Sequence, residues 1–557
     1  MEELIQGLIS ISGKKNVITK DMPEYHAYTF GDATLYRSHP DVIVYPGNAS
    51  EIQDTVKLAA KLGVPVTTGA GLTGLSGGAV TGKGILLNPL RMRDVISVDT
   101  ISKTVVAQPG ITCAQLNEHL KEYGLILPVA PASHLVSTLG GNIAEAAGGT
   151  WGMSKGTFRN YLLSLDVVDG KGELFTTGSP LTKESTGPDL TALFLGSEGI
   201  LGILTKITLR CEFLPEDVWT ARCSFADESV LQSIHEEVAK NRVTLYSFEY
   251  MDARMLSCFH EEADNMLLLL QTAGSKHDAK EQMEKLVEIL KKLNPLELAY
   301  TNDVAKTDDM YSERRNAIGA LAKADRCKPV VIQFDPVLPL SKFNLGVEKM
   351  RELAEREGLD LIIFGHAGDG NLHPSFIVRN TLEDKVKARN VIREFDKWIE
   401  KEGGSYSGEH AVGFFMGRSQ DELRPGVADY LKGIKSTFDP YNILNPGKVV
   451  NIEEGSMEIP PFEKKYEEIG NLVSLCVKCH LCKNDSPLFS KEPYEHNTIR
   501  GRISMIDAAA RGTISFSEIK PFVKEMSPWV KDMNCPAYIK DEMGKIIELS
   551  LEQGNNK

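Results

Sequence analysis

Glycine is concentrated in this chain in three short runs. Residues 69–84 read GAGLTGLSGGAVTGKG, residues 140–152 read GGNIAEAAGGTWG and residues 196–202 read GSEGILG. A residue without a Cβ lets the main chain turn sharply and come close to a ligand or to other backbone, but it weakens the interior of a helix or strand. The runs are therefore read as loops, and the fold has to bring bare backbone to a common surface. The first run comes after an apolar stretch, VPVTT, and contains Gly-x-Gly-x-x-Gly at 69–74. A dinucleotide fingerprint also needs a helix opening on that turn. The next residues, LSGGAVTGKGILL, have no helical period, which argues against a Rossmann site. A nest of backbone N–H groups around a phosphate fits the run, and a merely flexible loop is the bland alternative.

The flanking sequence sets the fold class. DVIVYP reads as a strand, ASEIQDTVKLAAKLG as an amphipathic helix capped by Ser50, and VPVTT as a second strand. This β-α-β opening predicts α/β architecture over residues 41–210. Residues 225–300 read as helices with strands such as VTLYSFEYM between them. Residues 452–466, IEEGSMEIPPFEKKY, are charged, contain proline and lack a period, as a linker does. A chain of 557 residues exceeds one core, so several domains are expected. With 62 Lys+Arg against 76 Asp+Glu the net charge is −14, which argues against nucleic acid or an anionic membrane as partner. The start, MEELIQGLISISGKKN, makes a poor signal peptide, and no stretch approaches the roughly 18 apolar residues of a membrane span. A cytoplasmic protein without direct membrane insertion is expected. Self-association is left open.

Two further stretches carry chemistry. LIIFGHAGDGNLHPSFIV (361–378) is an apolar run, a Gly-Asp-Gly turn and a second apolar run. Paired as a hairpin, it brings His366 and His373 within cross-strand reach, about 5 Å between Cβ atoms. Two imidazoles so placed can share a divalent cation, with Glu409 of SYSGEHAVG as a third ligand. Two His and one carboxylate leave coordination positions open, as a catalytic site does. Ordinary hydrogen-bonded histidines are the alternative. His410 adjoins Glu409 and can face a substrate, where a neutral imidazole suits general-base work. Of nine cysteines, Cys113, Cys211, Cys223, Cys258 and Cys327 are scattered and read as small buried residues. The other four lie near the C-terminal end, and CVKCHLCKNDSP (476–487) has iron–sulfur spacing except that Ser486 stands at the fourth ligand position.

In order along the chain, PVTTGAGLTGLSGG, QPG, PASH…STLGGNIAEAAGG and LFLGSEGILGILTKITL resemble the FAD-binding domain of the vanillyl-alcohol oxidase/p-cresol methylhydroxylase superfamily. Over roughly residues 20–450 the chain is similar to the FAD subunit of glycolate oxidase and to D-lactate and D-2-hydroxyglutarate dehydrogenases. The resemblance implies a non-covalent FAD between two α/β subdomains. Its pyrophosphate would lie on Gly71, Thr73, Gly74, Leu75 and Ser76. Pro131, Ser133, Thr138, Gly141, Ala147 and Gly149 would touch the rest of the cofactor, with Gly199 and Ile203 beside the flavin or adenine. The pattern departs at Gly69–Leu72, where Arg-Gly-Gly-Gly is usual, and at Ala146, where Asn is common. GHAGDGNLHP and SGEH match the family's metal motifs, which implies a divalent ion (Zn, Fe or Mn) on His366, His373 and Glu409. His410 would remove the substrate hydroxyl proton. Arg314 of ERRNAIGAL would hold the substrate carboxylate, with Arg315 competing, since only one of two neighbours is expected to point inward. A lysine of some relatives is here Gln333, ahead of Asp335, which counts against a dicarboxylate. FDPYNILNPGK (438–448) resembles the segment that returns to the FAD domain.

The C-terminal part resembles the iron–sulfur subunits of glycolate and lactate oxidation systems, which carry a ferredoxin-like pair of motifs. A second motif should end in Cys-Pro, and EMSPWVKDMNCP supplies Cys535-Pro536. Glu525, Pro528 and Lys531 stand where its other cysteines would be. In two-cluster ferredoxins the fourth Cys of each run ligates the other cluster. Cys476, Cys479, Cys482 and Cys535 then complete one [4Fe–4S] cluster, and every loss falls on the other. A zinc on the same thiolates and an empty relic are the alternatives.

The expected molecule is α+β. It has an FAD-binding domain of two α/β subdomains (1–215), an α+β substrate or cap domain with antiparallel sheet and metal site (216–430), and a returning segment (431–451). A linker (452–470) leads to a small helical ferredoxin-like iron–sulfur domain (471–557). The implied activity is oxidation of a small D-2-hydroxy acid, D-lactate or glycolate, to the 2-oxo acid. Electrons leave through one [4Fe–4S] cluster to a protein acceptor, an electron-transfer flavoprotein or iron–sulfur subunit. The alternatives are a flavoprotein of the superfamily acting on another alcohol, and an electron-transfer or scaffold subunit with an idle site.

Overall fold

The computed structural model describes residues 1–30, 36–260, 263–325, 330–379, 381–413, 426–450, 460–533, 535, 537 and 539–555. Cys327, Pro536 and residues 452–459 of the expected linker lie outside them. The β-α-β opening forms as its pattern predicts. Strand Val42–Val44 runs into helix Ala49–Leu62 and then strand Val66–Thr68, and both strands pair in parallel with Ile85–Leu87 between them. The helix cap is Asn48 and not Ser50: the Asn48 side chain accepts the Glu51 N–H at 3.0 Å, while the Glu51 carboxylate accepts Gly47 N–H at 2.9 Å. Asn48 is still extended, as a cap must be, whereas Ser50 already lies within the helix. Gly63, at φ +64°, ends it in the left-handed conformation. Residues 69–84 contain no helix, in agreement with the pattern, and lead directly into Ile85–Leu87. Gly84 is required there, because a Cβ would lie 2.3 Å from the Pro65 carbonyl oxygen.

A second, antiparallel sheet has the order Val95–Asp99, Thr104–Ala107, Ile203–Arg210, Leu162–Val168 and Leu174–Gly178. Val168 and Ile203 share a core with the first sheet, which fastens the two together. Beyond residue 216 a six-stranded antiparallel sheet forms, in the order Glu297–Thr301, Asp217–Phe225, Met266–Gly274, Ser247–Met251, Phe364–His366 and Asn371–Leu372. Its second and third strands are covered by helix Lys276–Lys292, and the apolar run Met266–Leu270 at the start of the third is explained by burial on both faces. Met266, Leu268 and Leu270 face one core and Leu267 another. Strands Val330–Gln333, Ser375–Val378 and Asp360–Ile362 make a smaller sheet. Among the described residues no helix is long and apolar enough to cross a membrane.

The C-terminal helices pack on the first sheet. Ile469, Ile499, Ile503, Ile506, Ile519 and Ile546 share a core with Tyr28, Ile43, Tyr45 and Leu86. Strand Ile85–Leu87 serves two cores by simple alternation: Ile85 and Leu87 face the helices Glu2–Ser12 and Ala49–Leu62, and Leu86 faces the C-terminal helices. Helix Ile499–Ala510 is buried along its whole length, including two arginines. They persist there because both are paired: Arg500 with Glu495 at 2.8 Å, donating also to the Phe30 carbonyl, and Arg502 with Glu525 at 2.6 Å. Leu86→Ala should leave a cavity at this joint and lower the unfolding free energy by about 2–5 kcal/mol, measured by denaturant titration.

Candidate functional site

The histidine hairpin forms with one register along its whole length. Gly365 pairs with Leu372 and His366 with Asn371, and further out Ile362 pairs with Ser375 and Leu361 with Phe376. Its inner end belongs to the six-stranded sheet and its outer end to the smaller one. The change of sheet falls at Pro374, which has no N–H for a ladder. His366 and His373 form a diagonal pair on one face, ring centroids 5.2 Å apart. Gly365 allows the strands to close here, since a Cβ would lie 2.7 Å from the Asn371 carbonyl oxygen.

Glu409 comes from a segment without regular structure, and Asp335 fixes it. Asp335 Oδ2 accepts the backbone N–H groups of Gly408, Glu409 and His410, each at 2.8 Å, and the Ser407 hydroxyl at 2.8 Å. Glu409 Oε1 then stands 3.2 Å from His366 Nε2 and 3.3 Å from His373 Nε2. Among the described residues, His366–His373–Glu409 and Asp335–His373–His410 are the groups of three whose ligand atoms gather tightly enough for one ion. Each histidine has a carboxylate behind its other ring nitrogen: Glu249 Oε1 at 2.7 Å from His366 Nδ1, and Asp335 Oδ1 at 3.4 Å from His373 Nδ1. Carboxylate-backed imidazoles are the usual outer shell of a metal-binding histidine, so these residues fit a divalent ion. Burial alone would raise the Glu409 carboxyl, but the His366 and His373 rings outweigh it and hold it well below its ordinary range.

Glu249 also accepts from Arg314 Nε at 2.6 Å, and both side chains are buried. Arg314 and Arg315 both contribute to the wall of the large cavity, but Arg314 is the buried one. Arg314 leaves the helix Ser312–Ala320 toward the hairpin, while Arg315 is tied to Asp308 at 2.9 Å. His410 lies flat on His373, centroids 4.7 Å apart and planes 19° apart, with Nδ1 3.9 Å from Asp335 Oδ1. Burial depresses its basicity below the ordinary imidazole range, the Asp335 carboxylate opposing and the His373 ring adding. Sequence reasoning missed Glu249 and gave Asp335 no role. The signal for Glu249 was a lone acid in SFEYM, a strand buried at every residue, where a charge has to be paired.

The glycine runs wall the same cavity. Gly71, Thr73, Gly74, Leu75, Pro131, Ser133, Thr138, Gly141, Ala147, Gly199 and Ile203 line it, with His373, Glu409, His410 and Arg314 at one end. Ser76 and Gly149 are not part of the lining: the Ser76 hydroxyl turns to Glu145 at 3.4 Å, and Gly149 packs on Ala130. Gly71 has to be bare, since a Cβ would stand 2.9 Å from the Val136 carbonyl oxygen. Leu72, Ala146 and Glu198 hold positive φ around this wall. Ala146, at φ +53°, occupies a conformation that Asn tolerates better.

Cys476, Cys479, Cys482 and Cys535 line one small pocket, and Cys479 and Leu481 reach the large cavity as well. Burial pushes the Cys479 thiol up to about 12 and the Cys535 thiol up to about 11. Among the described residues, no three of these sulfurs lie within 4.8 Å of one another. Ser486 accepts the Ile499 N–H at 3.0 Å and donates to the Cys482 carbonyl at 3.1 Å, and Glu525 is engaged by Arg502.

Residues 40–178 match the family described as FAD binding domain, and residues 214–449 the family described as FAD linked oxidases, C-terminal domain. Glycolate oxidase subunit GlcD of Bacillus subtilis is 30% identical over 459 residues, covering 80% of this chain and 97% of that one. A D-lactate dehydrogenase of Archaeoglobus fulgidus is 32% identical over 416 residues, covering 73% and 91%. Among solved structures, 4-ethylphenol oxidase from Gulosibacter chungangensis has the same fold at 16% identity, with a TM-score of 0.64 over 81% of this chain and 97% of that one.

Glu249→Gln removes the charge behind His366 and Arg314 while keeping the shape. Affinity for Mn²⁺ or Zn²⁺ should fall about 10–100-fold, read from metal retained after dialysis.

Proposed function

The chain belongs to the FAD-linked oxidase family, and on that premise we propose that it oxidises a small D-2-hydroxy acid, D-lactate or glycolate, to the 2-oxo acid. The observation that carries this reading is that Arg314, His373, Glu409 and His410 all line the glycine-walled cavity, with His366 3.2 Å behind Glu409. A hydroxy acid offers a carboxylate for the guanidinium and a hydroxyl for the imidazole.

The chain's own residues divide the work. Arg314, held by Glu249, receives the substrate carboxylate and fixes which carbon faces the glycine wall. His410, neutral and held by its neighbours, takes the hydroxyl proton on a ring nitrogen. Asp335 keeps His410 oriented through the backbone amide and steadies the imidazolium that results. The α-hydrogen leaves with its electron pair, so the substrate gives up two electrons and the carbonyl forms. A divalent ion on His366, His373 and Glu409 would supply Lewis-acid polarisation of the hydroxyl. FAD, bound without a covalent link along Gly71, Thr73, Gly74, Pro131, Ser133, Thr138, Gly141, Ala147, Gly199 and Ile203, would supply the two-electron acceptor. Apolar Ile318 and Phe364 line the cavity, and Gln333 stands where some relatives carry a lysine, which favours a short monocarboxylate.

Electrons leave, in this reading, one at a time through a single [4Fe–4S] cluster on Cys476, Cys479, Cys482 and Cys535 to a protein acceptor, an electron-transfer flavoprotein or iron–sulfur subunit. The presence of Cys479 in both pocket walls supports this route.

Anaerobic addition of D-lactate or glycolate should bleach the flavin, and ethanol should not; a flavin bleached by neither acid would sink the reading. His410→Asn should retain flavin and metal but slow bleaching about 10²–10⁴-fold in stopped-flow absorbance. Cys535→Ser should lower iron from about four per chain as severely as Cys479→Ser, by elemental analysis.

A further inference from the structure

Two buried side chains beside Cys479 have donors and no acceptor. Lys478 is 4% exposed and His480 1%. Among the described residues Lys478 makes no hydrogen bond or ion pair, and its ammonium stands 4.4 Å over the Phe30 ring. Both ring nitrogens of His480 are buried without a partner. Each residue also holds a left-handed backbone, φ +58° and +66°, which a side chain with a Cβ adopts at a cost. Both line the pocket of the four cysteines.

The nearby carboxylates are already engaged. Glu495 pairs with Lys483 and Arg500, and Asp507 with Arg37 and Arg511. The pocket therefore holds more cation than anion, at a depth where unpaired charge and unmade hydrogen bonds are expensive. The surroundings lack an anion with several acceptor atoms, placed among Cys476, Cys479, Cys482 and Cys535.

We infer that Lys478 and His480 are positioning donors to the sulfur atoms of the group these cysteines hold, and that they set its reduction potential high enough to take electrons from the flavin cavity. The inference rests on the cluster reading above. A thiolate-bound [4Fe–4S] cluster is anionic and becomes more so by one unit when it takes one electron from reduced flavin. Donors and positive charge against its sulfurs stabilise the reduced form more than the oxidised one. Burial in an apolar pocket acts the other way, and these two residues offset it. Zinc on the same thiolates has no redox chemistry and so no reduction potential for them to set.

The test is EPR-monitored redox titration of the anaerobically purified full chain, with iron, sulfide and flavin content measured on each sample. Lys478→Met and His480→Phe should each retain iron and flavin while the one-electron reduction constant falls at least tenfold, a drop of about 59 mV in midpoint. Lys478→Arg should restore the midpoint. Lys478→Gln and His480→Leu repeat the measurement if the first pair does not fold. An intact cluster with an unmoved midpoint in these variants would overturn the inference alone. Absence of iron from the unaltered protein would overturn the cluster reading and the inference with it.

Discussion

One oxygen of Asp335 collects the N–H groups of three consecutive residues and the hydroxyl of a fourth, in a segment that has no helix or strand to shape it. Hydrogen bonds to a carboxylate contribute roughly 1.5–3 kcal/mol each, so this single group outweighs the conformational freedom of the four residues it fixes. The rest of the reacting end depends on that anchor. Glu409 is brought between two histidines, His410 is laid on His373, and the remaining oxygen of Asp335 faces His373 and accepts from Asn371 at the hairpin turn. Burial pushes against the ionised carboxyl, but the His410 and His373 rings outweigh it and hold Asp335 well below its usual range.

A parallel logic governs the cavity's other end. The glycine loops are shaped less by their own sequence than by the side chains that close behind them. Lys448 donates to the Gly78 and Val80 carbonyls, Asn445 to those of Gly78 and Glu198, and Glu198 accepts from Val412 and Gly413. A wall of bare backbone thus keeps its carbonyls satisfied by side chains far along the chain, while the groups facing the cavity stay available.

Much of this was legible in the sequence, and the pattern of successes is physical. The β-α-β opening, the helix-free glycine loop and the hairpin register depend on local period and turn chemistry, which a single stretch of sequence carries. His366, His373 and Glu409 are residue types whose burial is costly without a partner, and the cysteine run stands out by its spacing. The features that escaped depend on contacts between distant segments. Glu249 reveals its role once Arg314 and His366 are seen on either side of it. Ser50 looked like a cap because it precedes an apolar period, but the extended residue two places earlier had the better geometry. The seating of the C-terminal helices on Tyr28, Tyr45 and Leu86 left no trace in either sequence separately.

Lys483 shows how this long-range closure bears on the making of the molecule. It comes directly after Cys482, is fully buried, pairs with Glu495 at 2.9 Å and donates to the Gly71 carbonyl at 2.6 Å. One of its two acceptors belongs to the first glycine loop, on a stretch that leaves the ribosome more than four hundred residues before it. The Gly71 carbonyl of the loop that walls the cavity thus gains this partner only after the C-terminal segment has been made, which ties the completeness of the cavity wall to the completeness of the chain.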